Sequence, residues 1–160
     1  QTENAGESHL YGFELEVAHT VSRAFDWYAS IGHTQTEFDE FVLDGGGTFE
    51  DLSGTEFAFA PAWTATAGGT YAWDNGLFAN VNASYRTESY STTGLDQADT
   101  QLGARAIVNG KFGYEADSWG AFLFANNIFD EEYYQYLRND VPYAIFGDPR
   151  VIGVMLEADW

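Results

Sequence analysis

Three groups of side chains in this sequence could do chemistry. Glu37, Asp39, Glu40, Asp44, Glu50 and Asp51 put six carboxylates into one short stretch. Carboxylate oxygens are what calcium takes as ligands, but this spacing fits no EF-hand loop, so a solvated acidic loop and a cation site both stand as readings. Arg86, Arg105 and Lys111 make up half of the 6 basic residues. They could hold an anionic substrate or pair with carboxylates such as Glu14, Glu16, Glu115 or Glu157. Tyr133, Tyr134, Tyr136 and Tyr143 crowd one stretch together with Phe146. Such rings suit carbohydrate contacts, because each tyrosine gives area and one hydrogen bond; they equally suit an aromatic belt and loop packing.

Other chemistry finds no pattern. His9, His19 and His33 lie far apart, with no H-E-x-x-H or comparable metal spacing. There is no cysteine, which excludes disulfides and thiolate metal sites. No G-x-S-x-G is present, and the adjacent Ser8 and His9 have no evident acid partner. Neither an enzyme nor a cofactor is expected. The 25 acidic residues give a net charge of -19, which argues against nucleic acid as a partner. With 45% hydrophobic and 18% aromatic residues the chain is expected to fold.

The elements that must position these groups are strands. Period two dominates, and no run of about 18 apolar residues exists to make a membrane helix. About seven strands are expected, at roughly 9–20, 24–38, 57–73, 76–91, 100–116, 119–136 and 151–160. In the fourth, Leu77, Ala79, Val81, Ala83 and Tyr85 oppose Phe78, Asn80, Asn82, Ser84 and Arg86. The sixth is apolar on both faces, so its register is ambiguous. The connections alternate. "VSRA", "DNG" and "ADS" read as tight turns, whereas 39–56, 92–99 and 137–147 are long and polar. Long strands with short turns at one end and long loops at the other are the layout of an outer-membrane barrel. Trp27, Tyr71, Trp73, Tyr85, Tyr114, Trp119 and Trp160 are candidates for its aromatic girdles. Seven is an odd number, and an open sheet leaves unpaired backbone in lipid. The chain therefore reads as part of a larger barrel. A small stand-alone barrel or adhesin with an eighth strand, and a soluble acidic β-sandwich that binds a ligand, are the rival readings.

Five stretches carry a family resemblance. "NAGESHLYGFELE" (4–16), "DLSGTEFAFAPAWTATAGGTY" (51–71), "NASYRTESY" (82–90), "ANNIFDEEYYQY" (125–136) and "FGDPRVIGVMLEADW" (146–160) resemble, in order, segments of TonB-dependent outer-membrane receptors. The resemblance implies an all-β transmembrane antiparallel barrel, of which residues 1–160 supply about the last seven of 22 strands. The family's plug domain, TonB box and earlier strands are absent from it. It further implies active uptake of siderophore-bound iron, haem, cobalamin or glycans across the Gram-negative outer membrane, with this segment supplying wall and outer loops. Implied partners are outer-membrane lipid, an extracellular nutrient, the TonB complex through the absent plug, and the barrel-assembly machinery. The last would read the closing strand, with Ile152, Val154 and Leu156 facing lipid and Trp160 at the interface. On this resemblance Trp160 is the barrel's own end, and Gln1 is a point inside a longer protein.

Overall fold

The computed structural model describes residues 6–44, 49–94, 97–138 and 140–158. In chain order the strands are β1 (Glu7–Thr20), β2 (Phe25–Glu40), the short β3 (Val42–Asp44) and β4 (Phe49–Asp51), β5 (Trp63–Ala72), and β6 (Leu77–Arg86). There follow the short β7 (Ser89–Tyr90) and β8 (Gln101–Leu102), then β9 (Arg105–Glu115), β10 (Trp119–Asn126), the hairpin strands β11 (Tyr134–Arg138) and β12 (Tyr143–Phe146), and β13 (Val151–Ala158). Seven of them form one antiparallel sheet in the order β1-β2-β5-β6-β9-β10-β13. Each is hydrogen-bonded to its neighbour in sequence, skipping only the short loop strands.

One register runs through the whole sheet. Leu15 lies opposite Ile31, Ile31 opposite Ala65, and Ala65 opposite Tyr85. Val81 meets Gly110, Phe112 meets Leu123, and Leu123 meets Val154. Because side chains alternate along a strand, these pairings stack the apolar sets of all seven strands on one face. That face has no protein cover among the described residues: Val154 is 69% and Leu156 76% exposed. The fully buried leucines, Leu52 and Leu102, lie in the loops and not in the sheet. A soluble sandwich would bury its apolar face under a second sheet. This wall is a single layer.

Aromatic rings band the apolar face at both ends. Near the tight turns Tyr71 lies 4.6 Å from Trp73, and Tyr114 lies 5.5 Å from Trp119. Near the long loops His33 lies 4.4 Å from Trp63, and Phe13 lies 5.8 Å from Trp63. Trp63 and Tyr71 are eight steps apart on β5. At about 3.3 Å per residue that is about 26 Å along the strand, or roughly 20 Å across a bilayer at the usual strand tilt of about 40°, within the height of an outer-membrane barrel's apolar band. Trp63 is an interface residue that periodicity alone did not single out. Trp160 lies outside the described residues.

Several strand limits differ from the expected ones. The stretch 57–62 is loop, since Phe59 takes a left-handed backbone (φ 59) and Pro61 cannot donate to a ladder. β10 ends at Asn126 and not near 136, because Asn127 (φ 51) and Asp130 (φ 57) turn the chain out of the sheet. The tight turns fall where expected, and Gly76 supplies the positive φ of "DNG" (φ 87).

The ambiguity of the sixth strand is resolved by the sheet's other face. Ala121, Leu123 and Ala125 share the apolar face, while Phe122 and Phe124 lie on the polar one. Their rings rest on glycines across the ladder. Phe122 pairs with Gly113, Phe124 with Gly153, and Tyr28 with Gly68. A β-carbon at Gly113 would run into the Ala121 carbonyl oxygen and meet Phe122 Cδ1 at 2.6 Å and Phe122 Cα at 2.7 Å. Gly113→Ala is therefore expected to cost about 1–3 kcal/mol, the usual penalty for overpacking. Thermal melting of the folded barrel checks it, and an unchanged midpoint would show that the ring seat is not tight.

Candidate functional site

The three long loops are tied to one another at the end of the wall opposite the tight turns. Gln97, in a short 3-10 turn (Gln97–Thr100), donates through Nε2 to the Glu56 carbonyl at 2.7 Å and accepts from the Glu56 N–H at 3.3 Å. That joins the loop after β6 to the loop after β2. Ser91 Oγ accepts from the Leu137 N–H at 3.1 Å and donates to the Leu137 carbonyl. That joins the loop after β6 to the loop after β10. The Phe59 N–H donates to the Tyr90 carbonyl at 2.7 Å. Beneath these bonds Leu52, Leu102, Thr100 and Ser89 are fully buried.

Asn127 sets the course of the third loop. It is 4% exposed. Its Nδ2 donates to the carbonyls of Glu131 and Asp148, each at 3.0 Å, and its Oδ1 accepts from the Glu131 N–H at 2.9 Å. Its own N–H donates to Asn109 Oδ1 at 3.0 Å. Asn109 in turn donates to Asn82 (3.0 Å), Asn82 to Asn80 (3.3 Å), and Asn80 to Thr70 (3.0 Å). An amide chain thus runs across the polar face from β5 to the root of this loop. An Asn just past the end of a strand, with an Asp three residues on, both types that tolerate a left-handed backbone, is the sequence signal that would have found it.

The aromatic cluster divides in two. Tyr134 lies 4.9 Å from Phe146 across the β11–β12 hairpin, and both are exposed, as is Tyr143. Tyr136 stacks on Phe59 at 6.3 Å and meets Tyr143 at 6.2 Å. Tyr133 turns inward: it lies against Gly147, leaving no room for a β-carbon there, and its ring sits 4.0 Å from the Arg105 guanidinium carbon. Tyr134, Tyr143 and Phe146 therefore present apolar surface outward, and Tyr133 braces the wall.

The three basic residues all lie on the polar face. Lys111 Nζ is 4.0 Å from Glu157 and 3.8 Å from the Phe122 ring centre, a cation–π contact. Arg105 donates to the Tyr134 carbonyl at 3.1 Å. Arg86 stands directly opposite Arg105 in the register. In contrast to the expected pairing with wall carboxylates, neither arginine has a carboxylate partner among the described residues. A cleft of about 400 Å³ opens beside the two, lined also by Thr64, Thr66, Ser84 and Tyr133.

The remaining candidates do not converge. His9 pairs with Asp39 at 2.9 Å, His33 Nδ1 lies 2.8 Å from the Ala62 carbonyl, and His19 lies opposite Trp27. Asp51 accepts from the Ser53 hydroxyl (2.6 Å) and N–H (3.0 Å), which together hold its carboxyl below the ordinary carboxylate range. Among the described residues no three His, Asp or Glu come together to hold a metal ion. Ile152, Val154 and Leu156 lie on the apolar face of β13.

Comparison with known proteins gives this wall its family. Residues 1–128 match the family model "TonB dependent receptor-like, beta-barrel". The chain belongs to that family. The ferric-pyoverdine M114 receptor PbuA of Pseudomonas sp. (strain M114) is 29% identical over 164 residues, covering 98% of this chain and 19% of the relative. Among solved structures, the ferric yersiniabactin uptake receptor FyuA of Yersinia pestis superposes with a TM-score of 0.81 at 18% identity, over 98% of this chain and 24% of that one. The siderophore receptor PiuA of Acinetobacter baumannii gives 0.76 at 18% identity, over 93% of this chain and 21% of that one. The chain thus spans about a fifth of the curated receptor it matches. As a TonB-dependent receptor barrel segment it lies in the outer membrane. In barrels of this kind the outward apolar band meets lipid, the short turns lie on the periplasmic side and the longer loops outside.

Proposed function

We propose that this chain forms part of the wall and three extracellular loops of a receptor that imports a ferric siderophore. The observation that carries this reading is the exposed aromatic face of Tyr134, Tyr143 and Phe146, held on loops that are bonded together above the wall. Rings of this kind bind flat, partly apolar ligands at little entropic cost. The name of the related ferric-pyoverdine receptor supports a ferric siderophore as the ligand class. In lipid both outer edges of the sheet, on β1 and β13, must find partners. Residues 1–160 are thus a portion of a larger barrel, whose further strands pair those edges and whose lumen-filling plug carries the contact with TonB. The closing strand, through Ile152, Val154, Leu156 and Trp160, is the part that the barrel-assembly machinery reads.

The test uses the complete receptor in iron-limited cells. Tyr134→Ala combined with Phe146→Ala is expected to weaken binding of the cognate ferric siderophore about tenfold to a hundredfold, with unchanged abundance in the outer membrane. A panel that includes ferric pyoverdine and ferric yersiniabactin identifies the cognate. Wild-type affinity in the double variant would refute the aromatic face, and no binding of any ferric complex by the intact receptor would refute the siderophore reading.

A further inference from the structure

We infer that Arg86 and Arg105 form a carboxylate-binding site on the lumen face of the wall. The register sets the two arginines directly opposite each other on β6 and β9. Like charges at opposed positions destabilise a sheet unless a negative group lies between them. No carboxylate among the described residues fills that role. Arg86 Nε is buried and makes no hydrogen bond. A guanidinium carries five donors, and a buried donor without a partner is unfavourable.

Arg105 is already positioned. One of its nitrogens donates to the Tyr134 carbonyl at 3.1 Å, and the Tyr133 ring lies 4.0 Å away on its face. Its other donors are not used by these contacts. Beside the pair is the cleft of about 400 Å³, with the hydroxyls of Thr64 and Ser84 and the apolar Ile107 and Tyr133 on its walls. Planar guanidinium forks match the two oxygens of a carboxylate, which accepts from each in a bidentate fashion. The apolar walls suit the carbon skeleton behind such a group, which inorganic phosphate lacks. The carboxylate comes either from a dissolved ligand or from a part of the polypeptide beyond these residues that fills the barrel.

Phenylglyoxal modification of the complete receptor separates the two sources, with mass spectrometry reading each arginine. If a dissolved ligand supplies the carboxylate, excess succinate slows modification of Arg86 and Arg105 about tenfold. Succinamide, its uncharged analogue, does not, and Arg23 in the exposed periplasmic turn is unaffected by either. If the polypeptide supplies it, succinate has no effect, and Arg86→Gln melts lower than Arg86→Lys, which keeps the charge. In an unfilled pair that order reverses, because Gln relieves the repulsion from Arg105. Absence of succinate protection, together with Arg86→Gln melting no lower than Arg86→Lys, overturns the site. The site does not rest on the siderophore reading: succinate protection in a receptor that binds no ferric complex would remove that reading and leave the site standing.

Discussion

Asn127→Ala is expected to destabilise the folded receptor by roughly 3–5 kcal/mol and to reduce its abundance in the outer membrane. The change removes one acceptor and two donor bonds at a residue that is 4% exposed. It leaves the Glu131 N–H and two carbonyls without their partner, at roughly 1–3 kcal/mol for each group that water cannot reach. Alanine also tolerates the left-handed backbone of position 127 (φ 51) less well than asparagine. Asn126→Ala, one residue earlier on an exposed side chain with no side-chain hydrogen bond, is expected to stay within about 0.5 kcal/mol. Urea unfolding in detergent measures both, and equal midpoints for the two variants would refute the role given to Asn127.

The second large effect distinguishes the two faces of the wall. Val81 lies mid-strand on the apolar face, between Gly69 and Gly110. Val81→Arg places a charge in lipid and is expected to cost about 2–4 kcal/mol, as charges near the midplane of such barrels do. Its neighbour Asn82 points into the lumen, where Arg meets water. Asn82→Arg gives up the bonds to Asn80 and Asn109, a net loss of about 1 kcal/mol. Folding into bilayers of defined thickness measures the difference. If Asn82→Arg proved the costlier, the assignment of lipid and lumen faces would be reversed.

Much of the wall was legible because a lipid-facing sheet must alternate. Leu77 through Arg86 shows the pattern without any help from tertiary contacts. Alternation failed where the lumen face is not polar: Phe122 and Phe124 are apolar on both counts, and their side is decided by glycines on neighbouring strands. Strand ends were overrun because the small loop strands at Ser89–Tyr90 and Gln101–Leu102 continue the same period beyond the wall. The expected sixth strand ran past Asn127 because left-handed residues at 127 and 130 leave no mark on hydrophobic periodicity. The basic residues were placed on the right face by counting, and Lys111 meets Glu157 as one of the expected pairs, but the two arginines do not meet the expected carboxylates. Whether Arg86 faces Arg105 or a glutamate depends on the register between two strands, which neither strand fixes alone. The split within the tyrosines is of the same kind: only the fold sets Tyr133 under Arg105 and Tyr134 outward.

The bonds among the loops have a mechanical consequence. The Gln97 amide fastens the second loop to the first, and Ser91 fastens it to the third at Leu137. The described segments that carry these bonds cannot hinge apart without straining or breaking one of them. A load applied to the aromatic hairpin is therefore transmitted through Leu137 and Ser91 to Gln97 and on to Glu56. On the function proposed above, a ligand arriving at this surface meets a rim whose described segments are bonded together, and not three independent flaps. Widening the mouth of the barrel there requires the rim to yield as a unit.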